Sequence, residues 1–395
     1  MSATVVIHSA ALVSGGSITA DAWVAFDGDV VSAVGTGDGW RAHVAAPGSD
    51  GLGADAATTV VTDAAGRWLT PGFVDIHCHG AGGSAFDDGA DAIRTALAVH
   101  HAHGTTRIVL SLVTATVDDL ETRLDAIATE AEQNPLILGA HLEGPFLDDA
   151  FRGAHNPALL RAPNADSIAR LIRAGRGHIR QITLAPELPG APEAIAALTD
   201  AGIAVAVGHS STDYETALAA FASGASILTH AFNGMRGIHH RAPGPVSAAT
   251  HSDNVTLEII NDGVHVHPEV VRLAFAGAPG RIALITDAMA ATGSTDGAYM
   301  LGTLAVTVTD GVARLTEGGS IAGSTLTLDE ALRRAVNEVG VSITDAITAL
   351  TETPARTVGR AHDLGRLAVG YAADAVLLSA ALEIDEVYAA GIRLR

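Results

Sequence analysis

Six short segments of this chain carry histidine, glutamate or aspartate directly after an apolar run. They are His77-Cys78-His79, His141-Leu142-Glu143, Gly208-His209-Ser210, His230-Ala231-Phe232-Asn233, Asn261-Asp262-Gly263-Val264-His265 and Thr286-Asp287. His77 and His79 are two positions apart. Alternate residues of an extended strand share a face, so both imidazoles reach one ion while Cys78 points the other way, as a small buried hydrophobe. Glu143, His209 and His230 extend the set to five donors. Imidazole and carboxylate suit Zn2+ best, with iron, manganese, cobalt or cadmium also compatible. Five donors exceed what one tetrahedral ion with an open position uses. Either two divalent ions share the site with Glu143 between them, or one ion takes a subset. Asp287 reads as the general base, a carboxylate that takes a proton from water and passes it to a leaving nitrogen. The plainer reading of Asp287 is a helix N-cap after its strand.

Other polar residues carry less. His100, His101 and His103 precede Gly104 at a helix end, where such side chains cap carbonyls. His239, His240, His251 and His267 read as loop or surface residues. Glu187 reads as a rim hydrogen-bond partner or a support for the ligands, not as a ligand itself.

These segments act together only if the fold gathers them. The runs before them belong to eight apolar stretches at residues 72–76, 106–110, 136–140, 182–185, 204–207, 226–228, 255–260 and 282–285. Helical stretches such as 90–103, 117–133 and 213–223 fall between them. That alternation predicts βα units and a parallel sheet, and eight units predict an α/β fold of the TIM-like (β/α)8 kind. Such a barrel builds its active site at the C-terminal ends of its strands, which is where all six segments fall. A strand–turn–strand pattern at 299–322 surrounds Asp310-Gly311, and helices follow at 326–338 and 343–351. Short strands at 4–7, 22–26, 30–34 and 59–63, and again at 374–378 and 384–390, predict a small β-sandwich domain formed by both termini. The expected division is residues 1–67 and 359–395 for the sandwich and 68–358 for the barrel, with an exposed Gly/Ala-rich loop at 37–58.

The 395 residues suit one barrel plus a smaller domain. A net charge of −21 excludes a basic nucleic-acid or membrane surface. All 23 basic residues are arginine. Without lysine there is no Schiff base, no P-loop lysine and no carbamylated-lysine metal bridge. The single cysteine excludes an internal disulfide or a cysteine-rich zinc site. The N-terminus shows no basic leader, and no apolar run is long enough to span a membrane. A soluble cytoplasmic protein is the default expectation.

From about Trp68 to Gly370 the sequence resembles the amidohydrolase superfamily and, within it, the N-acetylglucosamine-6-phosphate deacetylase family. Pro71-Gly-Phe-Val-Asp-Ile-His-Cys-His-Gly80 is similar to the superfamily's first-strand motif. The narrower motifs are His141-Leu-Glu-Gly-Pro-Phe146, Gly153-Ala-His-Asn-Pro157, Thr183-Leu-Ala-Pro-Glu187, Val207-Gly-His-Ser210, Thr229-His-Ala-Phe-Asn-Gly-Met235, Asp262-Gly-Val-His265, Thr286-Asp-Ala288 and Ile321-Ala-Gly-Ser-Thr325. The resemblance implies that Glu143, His209 and His230 are the core ligands, and that His77 and His79 hold a second ion. It implies that Asp287 is the catalytic acid/base and that His155 orients or polarises an acetyl carbonyl. It assigns Asn233, the Gly234 N–H, Arg241 and His265 to the phosphate and sugar. It implies a homodimer in which Arg241 reaches the neighbour's site, with Arg236 as the alternative in a loop that is hard to align. The implied partner is a phosphorylated amino sugar, deacetylated to its amine and acetate. A local cluster of Arg and His would reconcile an anionic substrate with an acidic chain.

Two other readings stay open on sequence alone. One is a deacetylase of a related sugar, such as N-acetylgalactosamine 6-phosphate; lysine-bridged amidohydrolases are disfavoured because lysine is absent. The other is a catalytically silent barrel kept as a scaffold, against which the intact ligand set and Asp287 stand.

Overall fold

The structure is a computed structural model that describes residues 4–44 and 59–395. Eight parallel strands form the barrel: Phe73–Cys78, Thr105–Val113, Ile137–Glu143, Ile179–Leu184, Ala204–Val207, Ala225–Leu228, Thr256–Ile260 and Ile282–Ile285. All eight expected strands are found, each hydrogen-bonded to its successor in sequence. They are short and nearly all buried, as parallel strands covered on both faces must be. The first and eighth strands are stitched at the rim: Asp287 N donates to His77 O at 2.9 Å, and His79 N donates to Ala288 O at 2.8 Å. The barrel therefore closes through the backbone of the candidate site itself.

The outer helices show why the sequence folds this way. Helix Val117–Gln133 buries Val117, Leu120, Leu124 and Ile127, an apolar stripe at helical spacing. The Thr116 hydroxyl caps it by accepting from Asp119 N at 3.1 Å.

The terminal strands form one continuous sheet. Its order is Ile392–Arg393, Ile384–Ala389, Ala375–Leu378, Trp68–Pro71, Thr4–Ser14, Ser17–Asp27 and Val30–Thr36, with Thr59–Asp63 also paired to Thr4–Ser14. Phe26 and Tyr388, from strands four places apart, meet edge to face with centroids 6.2 Å apart. The sheet thus bends over on itself around a core that includes Ile7, Phe26, Leu69, Leu377 and Tyr388. Register shifts after Ile7 and Ala10 mark irregularities that let the long strand bend. The sandwich is a single sheet doubled over.

Two details differ from the sequence reading. Trp68–Pro71 pairs in the terminal sheet, and the barrel starts at Phe73. Gly37–His43 is a 3-10 helix rather than loop; the rest of the expected 37–58 loop, residues 45–58, lies outside the described residues.

After strand eight, Gly297–Leu301, Leu304–Thr309 and Val312–Leu315 form an antiparallel sheet. Its Asp310-Gly311 turn has φ of +51° and +74°, the two positive angles of a tight I′ hairpin turn. Leu301, Val306 and Val308 pack on Val113, Met289 and Ala322, so this sheet is a fixed wall at the rim. Among the described residues, no helix is long and apolar enough to cross a membrane.

Candidate metal centre and active site

The C-terminal ends of strands one, three, five, six and eight bring His77, His79, Glu143, His209, His230 and Asp287 into one cluster. Two trios lie side by side: His77, His79 and Asp287, and Glu143, His209 and His230. Glu143 stands between them. Its Oε1 is 3.0 Å from His209 Nε2 and 3.1 Å from His230 Nε2. Its Oε2 is 3.2 Å from His79 Nε2. Asp287 Oδ1 lies 3.3 Å from His79 Nε2 and 3.5 Å from His77 Nε2. His209, His230 and Asp287 have φ of +45°, +25° and +49°. Strain of this kind persists where surrounding structure fixes it, and it concentrates at functional sites.

The nitrogen positions test whether a cation belongs here. His209 Nδ1 donates to Phe151 O at 2.9 Å, and His230 Nδ1 donates to Asn233 O at 3.2 Å. Each ring then presents a bare Nε2 in its neutral form. Those two atoms face each other at 3.0 Å, and both face the Glu143 carboxylate. Three lone-pair donors pointing at one place repel unless a cation lies among them. His77 repeats the pattern: Nδ1 is bonded to Glu258 Oε2 at 3.1 Å, and Nε2 is buried with no hydrogen-bond partner. A carboxylate or carbonyl behind each ligating imidazole is the usual support of a metal site.

Charge agrees. Burial opposes ionisation of His77 and His79, but Glu143 and Asp287 outweigh it and hold both rings above the ordinary range, His79 at about 9. Burial likewise resists charge on Glu143 and Asp287, and the surrounding histidines overcome it, keeping both carboxyls ionised. A cluster that draws protons onto its imidazoles exchanges them for a metal ion. The residues present fit a divalent metal.

A cavity of about 320 Å³ opens onto this cluster. His79, Glu143, His155, His209, His230, Asn233, Gly234, His265 and Asp287 line it, with Leu301 and Ile321 as apolar wall. The structure therefore brings together every expected site residue except Arg241; His77 belongs to the cluster but does not itself line the cavity. His155 Nε2 is 3.4 Å from Glu143 Oε2, and burial lowers the ring to about 4, so it is neutral. Gly153 and Gly234 flank His209 with φ of +57° and +60°; a Cβ on Gly234 would sit 2.9 Å from His209 Nδ1. Asp287 caps no helix: its carbonyl accepts from Ser324 N at 2.7 Å, which pins the Ile321–Thr325 segment to strand eight.

Arg236 and Arg241 are exposed, and neither lines the cavity of its own chain. No arginine is among the cavity's described lining residues. Besides His155, His265 is the imidazole there outside the metal cluster. Asp262 Oδ2 accepts from its Nδ1 at 2.7 Å, and although burial opposes charge, Asp262 holds the ring above its ordinary value.

His141 is not a ligand. Its two nitrogens face Ser111 Oγ at 2.9 Å and Thr183 Oγ1 at 2.8 Å. Asp75, Cys78 and His100 form a separate buried trio. Burial pushes Asp75 up to about 7, raises the Cys78 thiol and lowers His100 to about 4. Its tendency is neutral, and Cys78 packs against His100 as a wall residue. His101 and His103 bond Thr105 O and Asp329, so all three helix-end histidines are structural. Glu187 ties Ser210 and Ser211 at the rim and is no ligand.

The sequence reading missed Glu258. It is fully buried on strand seven behind His77 and also accepts from Gln181 Nε2 at 2.7 Å. A carboxylate inside the apolar run Val255-Thr-Leu-Glu-Ile-Ile260 was the available signal.

A parallel eight-stranded barrel with His, Glu and Asp at its C-terminal rim defines a metal-dependent hydrolase of the amidohydrolase kind. The sequence matches the Amidohydrolase family over residues 68–392, and the chain belongs to that family. The N-acetylglucosamine-6-phosphate deacetylase of Vibrio furnissii is 38% identical over 82% of this chain and 82% of its own length. The N-acetylgalactosamine-6-phosphate deacetylase of Escherichia coli O157:H7 is 37% identical over 84% and 89% respectively. Among solved structures, a mutant N-acetyl-D-glucosamine-6-phosphate deacetylase from Mycobacterium smegmatis, in complex with N-acetyl-D-glucosamine-6-phosphate, superposes with a TM-score of 0.89. It is 39% identical and covers 99% of each chain.

Proposed function

We propose that this protein hydrolyses N-acetylglucosamine 6-phosphate to glucosamine 6-phosphate and acetate. The observation that carries the reading is the pair of trios around Glu143, with Asp287 beside His77 and His79 and lining the same cavity. His77, His79, Glu143, His209 and His230 would hold one or two divalent ions, zinc by ligand chemistry. When bound, such an ion supplies a Lewis acid that acidifies water and polarises a carbonyl. Asp287, ionised in its setting, takes the proton of the attacking water. His155, held neutral, donates a ring N–H to the acetamide oxygen as negative charge gathers there. The water oxygen joins the acetyl carbon, the C–N bond breaks, and Asp287 returns its proton to the amine.

Asn233, the Gly234 N–H and His265 receive the sugar and phosphate. Because no arginine is among the cavity's described lining residues, we place Arg241 of a neighbouring subunit at the phosphate, in a homodimer with shared sites. The cytoplasm, where phosphorylated sugars are kept, is the proposed location.

Acetate release from a panel of N-acetylhexosamines tests this. N-acetylglucosamine 6-phosphate should be preferred over both the unphosphorylated sugar and the galactosamine epimer. The epimer is a specific second reading, since relatives of both specificities match almost equally. A higher kcat/KM for the epimer would reassign the substrate, and no turnover of any amide would leave a scaffold.

A further inference from the structure

We propose that Glu258 is the positioning residue that holds the two ligand trios in register, one of whose members it orients by side chain and another by main chain. The inference rests on the ligand assignment above. Glu258 sits in the middle of strand seven, fully buried, where an uncompensated carboxylate is costly. Three donors meet it. His77 Nδ1 lies 3.1 Å from Oε2, the backbone N of His230 lies 3.3 Å from Oε2, and Gln181 Nε2 lies 2.7 Å from Oε1. The Glu258 carbonyl also accepts from Ala231 N at 2.8 Å. One residue thus fixes the ring of His77 in one trio and both sides of the peptide turn that presents His230 in the other. That turn needs fixing, because His230 has φ of +25°.

The chemistry favours a carboxylate over an amide. Ionised, it is acceptor-only and satisfies all three donors. A glutamine can still accept from His77 and His230 by turning its NH2 to Gln181, whose own amide oxygen has no partner and can rotate to receive it. It carries no charge, so the bond that fixes the His77 ring becomes a neutral one of about half the strength. The ring's Nε2 is then less basic and less firmly aimed at Glu143 and Asp287. Partners behind a ligand of this kind are worth about 10–100-fold in metal affinity.

The test compares wild type, Glu258→Gln, Glu258→Asp and His77→Ala. Each apoprotein is loaded with Zn2+ or Co2+, its bound equivalents are counted by elemental analysis, and affinity is read by chelator competition. Near-UV circular dichroism of the apoproteins verifies folding. Glu258→Gln should weaken the ion held by His77 about 10–100-fold and shift the visible Co2+ spectrum in the direction that His77→Ala does. Glu258→Asp withdraws the carboxylate by about 1.5 Å while keeping its charge, and should show a smaller loss in the same ion; it decides the matter if Glu258→Gln does not fold. Wild-type affinity and spectrum in a folded Glu258 variant, with His77→Ala losing metal, would overturn the inference alone. Full metal content and affinity in His77→Ala would instead remove His77 from the ligand set, and the inference with it.

Discussion

Replacing Asp262 by Asn should uncouple substrate binding from the charge on His265 while leaving the metal cluster intact. Asp262 Oδ1 accepts from Val264 N and His265 N, both at 2.8 Å, and Oδ2 accepts from His265 Nδ1 at 2.7 Å. An Asn keeps the turn, because its oxygen still caps the two backbone N–H groups. Its NH2 then faces Nδ1, so the ring settles as a neutral Nε2–H donor. A charge-assisted hydrogen bond is worth about 1.5–3 kcal/mol and a neutral one about 0.5–1.5 kcal/mol. The difference, about 1–1.5 kcal/mol, is about a five- to tenfold loss in kcat/KM. It should fall on KM, because the contact is made equally in ground and transition states. The sign with pH follows from the raised ring: its contribution is present while the ring is protonated and fades as pH rises through the elevated value. In the variant burial acts on the ring unopposed, so it gives up its proton at lower pH and the fade begins there. The assay is acetate release across pH 5.5 to 9, expressed as the ratio of variant to wild type, which cancels the titration of the phosphate itself. The ratio should climb toward one as pH falls, where the variant ring also gains its proton, and be smallest near neutral pH. An unchanged KM and a flat ratio would refute a protonated His265 at the phosphate or sugar.

Glu143→Gln should lower metal content and activity together, because the amide cannot replace a carboxylate that faces five imidazoles; full occupancy by elemental analysis would remove Glu143 from the ligands. Asp287→Asn should lower kcat by at least about 10² with substrate binding retained, and activity within a few-fold of wild type would assign the base elsewhere. Mixing inactive Asp287→Asn and Arg241→Ala subunits should restore activity, since one site of the heterodimer carries neither defect. A mixture that stays inactive after verified subunit exchange would return Arg241 to its own chain.

The barrel was legible because its signal is local and repeated. Each strand is a short apolar run, and its end is marked by a polar residue where the chain leaves the sheet. Ala204–Val207 and Ile282–Ile285 could be bounded to the residue. The clustering of the candidate ligands was legible for the same reason: His77 and His79 alternate on one strand, and Glu143, His209 and His230 sit at or just past the ends of apolar runs. What sequence did not reveal depends on pairing across the chain. Trp68–Pro71 reads as the start of the barrel, yet its partners are Ala11–Leu12 and Ala375–Leu378, which no local pattern announces. Glu258 and Gln181 were missed because they lie within strands. There a polar residue means something only once the barrel interior is known to hold His77 next to it.

The acidic charge of the chain has a structural resolution that composition alone could not supply. Much of the arginine is committed to acidic neighbours on the outer helices. Arg170 bridges Asp118 and Glu121, and Arg176 bridges Asp125 and Glu132. Exposed charges such as these act weakly beyond a Debye length of about 8 Å, so the net charge of −21 does not set the potential inside the cavity. That potential is set by what faces it: Glu143 and Asp287 against a ring of histidines, and His265 held by Asp262. Bound divalent cations would turn the balance positive where an anionic substrate must sit. The proposed anion site would therefore depend on the metal, on one carboxylate-supported histidine and on an arginine from outside the cavity. Removing metal should weaken phosphorylated-substrate binding as well as abolish turnover. Calorimetry of the apoprotein with glucosamine 6-phosphate measures that directly, and unchanged affinity without metal would show that the phosphate is held by the protein's own groups alone.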